Sequence, residues 1–154
     1  MLRHIMRTLR KLQLPIVFAA LLLAVAGCSS FNHDWKVAAK DPAPPIDLQG
    51  RWEGTWKSDA NGHNDKLRCV IVKKDETNYL ARFHAKYGKA LSFGYKVTLS
   101  ALEKDGVIKF SGEANLGWLA GGMYHYEGHA DLTNFYSTYS SKHDHGTFQM
   151  TRPQ

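Results

Sequence analysis

The chain has 154 residues, with 20 Lys and Arg against 14 Asp and Glu, for a net charge of +6 at pH 7. Four of the cations, Arg3, Arg7, Arg10 and Lys11, precede residue 12, and no acid precedes Asp34. Beyond residue 27 the side chains carry 16 positive and 14 negative charges, a net +2, with no dense basic run, which excludes a nucleic-acid partner.

In chain order, the first element is a basic start followed by the unbroken apolar run Ile16–Ala26. Eleven residues fall short of the about 20 that a membrane-spanning helix needs, and a basic start, short apolar middle and small-residue end read as a secretory signal. The run closes on Val25-Ala26-Gly27-Cys28, which resembles the lipobox of bacterial lipoproteins. The resemblance implies cleavage after residue 27 and a diacyl lipid, palmitate among its chains, on the Cys28 sulfur. Ser29, where an inner-membrane retention signal would place aspartate, implies the outer membrane, facing the periplasm. The alternative is an ordinary signal peptide with an incidental cysteine. With Cys28 acylated, Cys69 is the one thiol left and no intrachain disulfide is expected. The mature 127 residues suit one domain.

Residues 28–49 read as the lipidated cysteine and a tether. Three of the chain's five prolines lie in Asp41-Pro42-Ala43-Pro44-Pro45, and proline favours extended backbone, so the tether spans at most about 70 Å. Either Phe31 and Trp35 dip into the lipid interface, or the stretch from Trp35 to Lys40 forms one turn of helix.

From residue 50 to 154 the dominant period is two. Tyr79, Ala81, Phe83, Ala85 and Tyr87 share one face, with Leu80, Arg82, His84 and Lys86 on the other; residues 91–101 repeat the pattern. Turn-forming clusters divide the domain into eight strands, at 51–57, 67–74, 78–87, 91–102, 107–116, 122–131, 134–140 and 146–152. Short connections make neighbours antiparallel. An eight-stranded up-and-down meander with one apolar face buries it best by closing into a barrel, which removes unpaired edges; an open sandwich is the alternative.

Gly50-Arg51-Trp52 on the first strand resembles the Gly-x-Trp signature of lipocalins and their calycin relatives. The resemblance implies that Trp52 closes one barrel end beneath a basic residue from the end of the domain, here Arg152. The Thr-Asp-Tyr lipocalin motif and a C-terminal helix are missing, and although the length suits avidin-like barrels, no biotin-contacting pattern can be matched.

Parity sends Trp56, Tyr79, Phe83, Tyr87, Phe93, Tyr95, Ile108, Phe110, Tyr124, Tyr126, Phe148 and Met150 inward, with Gly54, Gly112 and Gly128 leaving room or marking bends. Barrels of this size are either filled by side chains or hold one small ligand. Trp56, Tyr79, Phe83, Tyr95, Tyr124 and Tyr126 are the candidate lining of a pocket for a small apolar or amphiphilic molecule. Trp118, in the glycine-rich stretch Gly117–Gly122, is a further candidate ligand-binding residue, placed either as a mouth lid or docking residue or as a ring tucked over the barrel end. The alternative is a structural or interaction lipoprotein with a filled barrel.

No catalytic motif is present: neither a Gly-x-Ser-x-Gly elbow nor a His-Glu-x-x-His helix occurs. Glu53 and Glu127 face outward by parity, and Cys69 shares a face with Leu67 and Ile71, as an inert buried thiol would. His143 and His145 flank Asp144, but two histidines do not close a metal site; they read as a solvated turn. The expectation is a binding protein without enzymatic activity, metal or cofactor.

Overall fold

The computed structural model describes residues 30–41 and 46–154. The signal segment, Cys28, Ser29 and the residues 42–45 lie outside the described residues. Eight strands follow one another: β1 (Gly50–Ser58), β2 (Asn64–Lys73), β3 (Asn78–Tyr87), β4 (Leu91–Lys104), β5 (Val107–Asn115), β6 (Met123–Ala130), β7 (Asn134–Ser140) and β8 (His145–Thr151). Each pairs antiparallel with the next, and β1 pairs with β8, so the sheet is a closed up-and-down barrel and not an open sandwich. β2 begins three residues earlier than its apolar pattern suggests, because polar Asn64, Asp65 and Lys66 continue the ladder against Lys57, Trp56 and Thr55.

Turn chemistry fixes the hairpins. Asp105 and Gly106 both take positive φ, 55° and 80°, the conformation of a tight two-residue hairpin. At β2–β3 and β6–β7 an Asp-x-Thr-Asn tetrad recurs, Asp75-Glu76-Thr77-Asn78 and Asp131-Leu132-Thr133-Asn134. In each, the aspartate accepts backbone N–H bonds from the Thr and Asn that follow, at 2.7–3.1 Å. These bonds, with the Asn side-chain amide, hold the Asp131 carboxyl down to about 2.

The barrel is filled at one end. Leu48 and Trp52 are fully buried there, with Phe135 5.5 Å from the Trp52 ring centre and Phe110 4.7 Å from that of Phe135. Trp52 Nε1 donates to the Leu48 carbonyl at 2.8 Å. Arg152 covers this floor: its guanidinium carbon stands 3.7 Å from the Trp52 ring centre, and it donates to the carbonyls of Asp47 (2.5 Å), Gln49 (2.7 Å) and Arg51 (3.4 Å). Burial lowers its pKa to about 10, opposed by Asp47, so it is a cation at neutral pH.

The inward glycines do not leave room. A Cβ on Gly112 would stand 2.5 Å from the Thr98 carbonyl oxygen and 2.9 Å from Leu99 Cδ2. On Gly128 it would run into the Tyr136 carbonyl and reach 2.7 Å from Phe110 Cζ. They mark places where neighbouring strands close in tightly.

The N-terminal segment departs from an extended tether. Residues 30–38 form a helix, α1, that lies against the outer wall of β1–β3. Phe31 is only 3% exposed: its ring stacks on His84 at 4.9 Å, with the Arg68 guanidinium 5.2 Å away. Arg51 and Arg68 each stand 5.2 Å from the Trp35 ring. Asp34 pairs with Arg82, which also donates to Ser30 Oγ at 3.1 Å, and Arg68 donates to Asn32 Oδ1 at 3.1 Å. Phe31 is thus taken up by the barrel wall, and the helix starts well before Trp35.

Candidate functional site

At the end opposite Arg152 the barrel is open, with a cavity of about 620 Å³. Its wall is built where β1, β3, β5 and β7 end and where β2, β4, β6 and β8 begin. Trp56, Leu67, Ala85 and Phe148 supply the apolar body. Tyr95, Tyr124, Tyr126 and Tyr139 add rings with hydroxyls, while Tyr87, Phe93 and Lys96 stand at the mouth. Leu116 and Ala120, from the β5–β6 connection, close part of the opening.

The polar groups are few and specifically tied. Trp56 Nε1 donates to the Lys86 carbonyl at 2.9 Å, which orients its indole along the wall. Asp144 accepts from Ser58 Oγ at 2.6 Å and from the Tyr139 hydroxyl at 3.3 Å, and Ser58 is fully buried. Burial, then the Asp144 charge, raises the Tyr139 pKa. Burial also raises Tyr126, and raises Tyr95 with Tyr126 beside it. These phenols stay protonated at neutral pH; Tyr139 gives its proton to Asp144 and the Tyr95 and Tyr126 hydroxyls bond each other, which leaves one proton of that pair and the oxygen lone pairs for a guest. Glu53 and Glu127 are exposed on the outer wall.

Of the residues picked out by the sequence, Trp56, Tyr95, Tyr124 and Tyr126 line the cavity together. Phe83 sits beneath it, 2% exposed and packed against Tyr95 and Phe148 at 5.2 and 5.5 Å. Tyr79 is buried but does not line it; paired with Leu99 and covered by Lys73 at 5.4 Å, it belongs to the filled floor. Tyr87 and Phe93 are inward by parity yet 44% and 46% exposed, because their strands run past the cavity to the rim. Trp118 is neither lid nor plug. Gly117 and Gly121, at φ 84° and 95°, wrap a single 3-10 turn, Trp118–Ala120, that leaves the indole 87% exposed.

Sequence reasoning passed over Tyr139 and Asp144. Tyr139 alternates with Phe135 and Ser137 on β7, so parity alone would have placed it inside. Asp144 lies between His143 and His145 in a stretch that reads as a solvated turn; both histidines are exposed, whereas Asp144 turns to the barrel. Among the described residues no group of three His, Cys, Asp or Glu is placed to hold a metal ion. Cys69 is fully buried, and burial raises its thiol pKa well above the usual value, which makes it a poor nucleophile. Comparison of the chain with protein-family models, with curated proteins and with solved structures finds no match.

Proposed function

We propose that this chain is a lipid-anchored envelope protein whose barrel binds one small apolar or amphiphilic molecule without transforming it. The observation that carries the reading is the open half-barrel of about 620 Å³ above a filled floor. That volume falls within the about 300–1,000 Å³ of small-molecule sites, which are apolar with a few fixed polar groups. In an amphiphilic guest the polar end would meet the Asp144, Tyr139 and Ser58 cluster or the tyrosine hydroxyls. No cofactor, metal or nucleic acid enters this role.

Export, cleavage before Cys28 and acylation there complete the proposal and place the protein in the outer membrane, facing the periplasm. Their support is the Val25-Ala26-Gly27-Cys28 resemblance and the basic, short apolar leader. Two acyl chains, each methylene contributing about 0.8 kcal/mol, suffice for stable anchoring. Cys28→Ser should yield a released or unprocessed form; unchanged membrane retention at normal mature mass would overturn the anchor.

The binding reading is tested by native mass spectrometry of the detergent-extracted protein and by titration with a fluorescent fatty acid. A co-purified small molecule or saturable one-to-one binding is expected, and Ala85→Trp, which fills the cavity from β3, should abolish either while the strand signal in circular dichroism persists. Neither adduct nor saturable binding in the unmodified chain would refute it.

A further inference from the structure

The connections at the two barrel ends differ in charge. At the floor end Asp47, Asp75, Glu76, Glu103, Asp105 and Asp131 outnumber Lys73, Lys74, Lys104 and Arg152, and the β1–β2 and β7–β8 connections at the mouth carry Asp59 and Asp144 beside Lys142. The β3–β4 hairpin at the mouth is different: from Thr77 to Leu102 the sequence holds no acid at all. Lys86, Lys89 and Lys96 stand on this hairpin, and among the described residues no ion pair engages any of them. Between the lysines, Leu91 is 68% and Phe93 46% exposed, beside Tyr87 at 44%. Trp118, on the neighbouring mouth loop, is 87% exposed.

Free cations interleaved with exposed aromatic and aliphatic side chains are the composition that settles at a lipid interface. Rings and short apolar side chains enter the headgroup layer, and lysine stems lie along it with their ammonium groups on lipid phosphates. Each lysine near an anionic surface adds about fivefold to partitioning. Ser30, the first described residue of α1, bonds to Arg82 on the outer wall of β3, the same strand that ends in this hairpin. Cys28 lies two residues before Ser30, about 7 Å of chain at most, so an anchor at Cys28 would emerge from the hairpin's own side of the barrel.

We propose that the β3–β4 hairpin is a membrane-docking element that seats the cavity mouth on an anionic lipid surface. The cavity then opens onto the headgroup layer, and its guest comes from, or passes into, the bilayer. The source of the guest rests on the binding role above; the docking itself does not, and the two are tested by different signals.

The test uses the full chain extracted from its membrane, carrying an environment-sensitive fluorophore on Leu91→Cys and, as a reference, on Leu132→Cys. Leu132 is 57% exposed on the β6–β7 turn at the floor end, and Cys69 is too buried to compete for label. Unsubstituted chain, labelled in parallel, gives the background. Reconstitution is into phosphatidylcholine vesicles with and without phosphatidylglycerol. At Leu91 we expect a blue-shifted emission, several-fold brighter with phosphatidylglycerol and quenched by brominated acyl chains; at Leu132, none of this. Replacing Lys86 and Lys89, neither of which lines the cavity, together by Gln should remove most of the phosphatidylglycerol increment while leaving the circular dichroism and fatty-acid titration unchanged. Identical, water-like emission at both positions would overturn the proposal. So would a shift that follows protein density instead of lipid charge, which would mean a second copy of this chain on the hairpin. Loss of fatty-acid binding with docking intact would strike the binding role alone.

Discussion

Arg152→Met keeps most of the side-chain stem and removes the charged head that caps the barrel floor. Three carbonyls then lose their donor, those of Asp47 and Gln49 from bonds of 2.5 and 2.7 Å and that of Arg51 from a longer one. A buried acceptor left unpaired costs about 1–3 kcal/mol. Arg152 is only partly covered, so water can reach part of the gap and the lower figure applies to each of the two short bonds. The guanidinium also leaves the Trp52 face at 3.7 Å, a partly desolvated cation–π contact of about 1 kcal/mol. Against these, removing a cation whose pKa burial already depresses returns some desolvation energy. The net is about 2–3 kcal/mol, and for a domain near 100 residues each kcal/mol moves Tm by about 4–8 °C. Scanning calorimetry of the variant should therefore show a drop of roughly 10–20 °C. A fall smaller than about 3 °C would mean that the carbonyls are satisfied by water in the intact protein and that Arg152 does not hold the floor together.

Gly128→Ala should lower the urea midpoint, at a cost of about 1–3 kcal/mol for overpacking, because the new methyl meets the Tyr136 carbonyl and Phe110; an unchanged midpoint would show that β6 and β7 are not so close. Burial, with Arg68 and Lys86 adding to it, lowers the His84 pKa below 6.5 beneath Phe31. Released from the helix, His84 takes a proton more readily, so docking of α1 is fully present above pH 6.5 and weakens as pH falls below it. Hydrogen exchange of residues 30–38, corrected for intrinsic rates, should quicken between pH 7 and 5; constant protection would refute this. Asp131 is lowered from 3.8 to about 2, so its contribution is present above pH 3.8 and is lost between there and about 2. Asp131→Asn should flatten that part of the acid-unfolding curve, and an unaltered acid limb would argue against the tetrad.

Strand number, order and closure could be read from residues 50–152 because a two-residue period states which side chains are covered. Height along the barrel could not. Trp52, Cys69, Phe83 and Tyr95 are successive cross-strand partners, yet strand tilt carries this one row from the floor at Trp52 to the cavity at Tyr95. Parity therefore treated Tyr79 and Tyr95 alike, although one is packed into the floor and the other lines the opening. The turn of helix offered from Trp35 overlaps the helix at 30–38, but its earlier start and its docking on the wall escaped for another reason. Its apolar face amounts to Phe31 and Trp35, and its partners Arg51, Arg68, Arg82 and His84 sit at outward positions that parity assigns to water. The signal lay in pairing these two separated stretches, aromatic and acidic against basic, which no local pattern reports.

A vessel with a sealed base has consequences for its contents. With Trp52, Phe110, Phe135 and Arg152 shutting one end, a guest bound as proposed would have to back out by the route it took inward. Exchange is then sequential: no second molecule can push the first through. The solid base also acts as a ruler, because a tail longer than the hollow cannot slide deeper and must leave its excess in the doorway between Tyr87 and Phe93. Shortening the hollow at Ala85 or deepening it at Phe83 would move the graduation of that ruler and leave the doorway as it is.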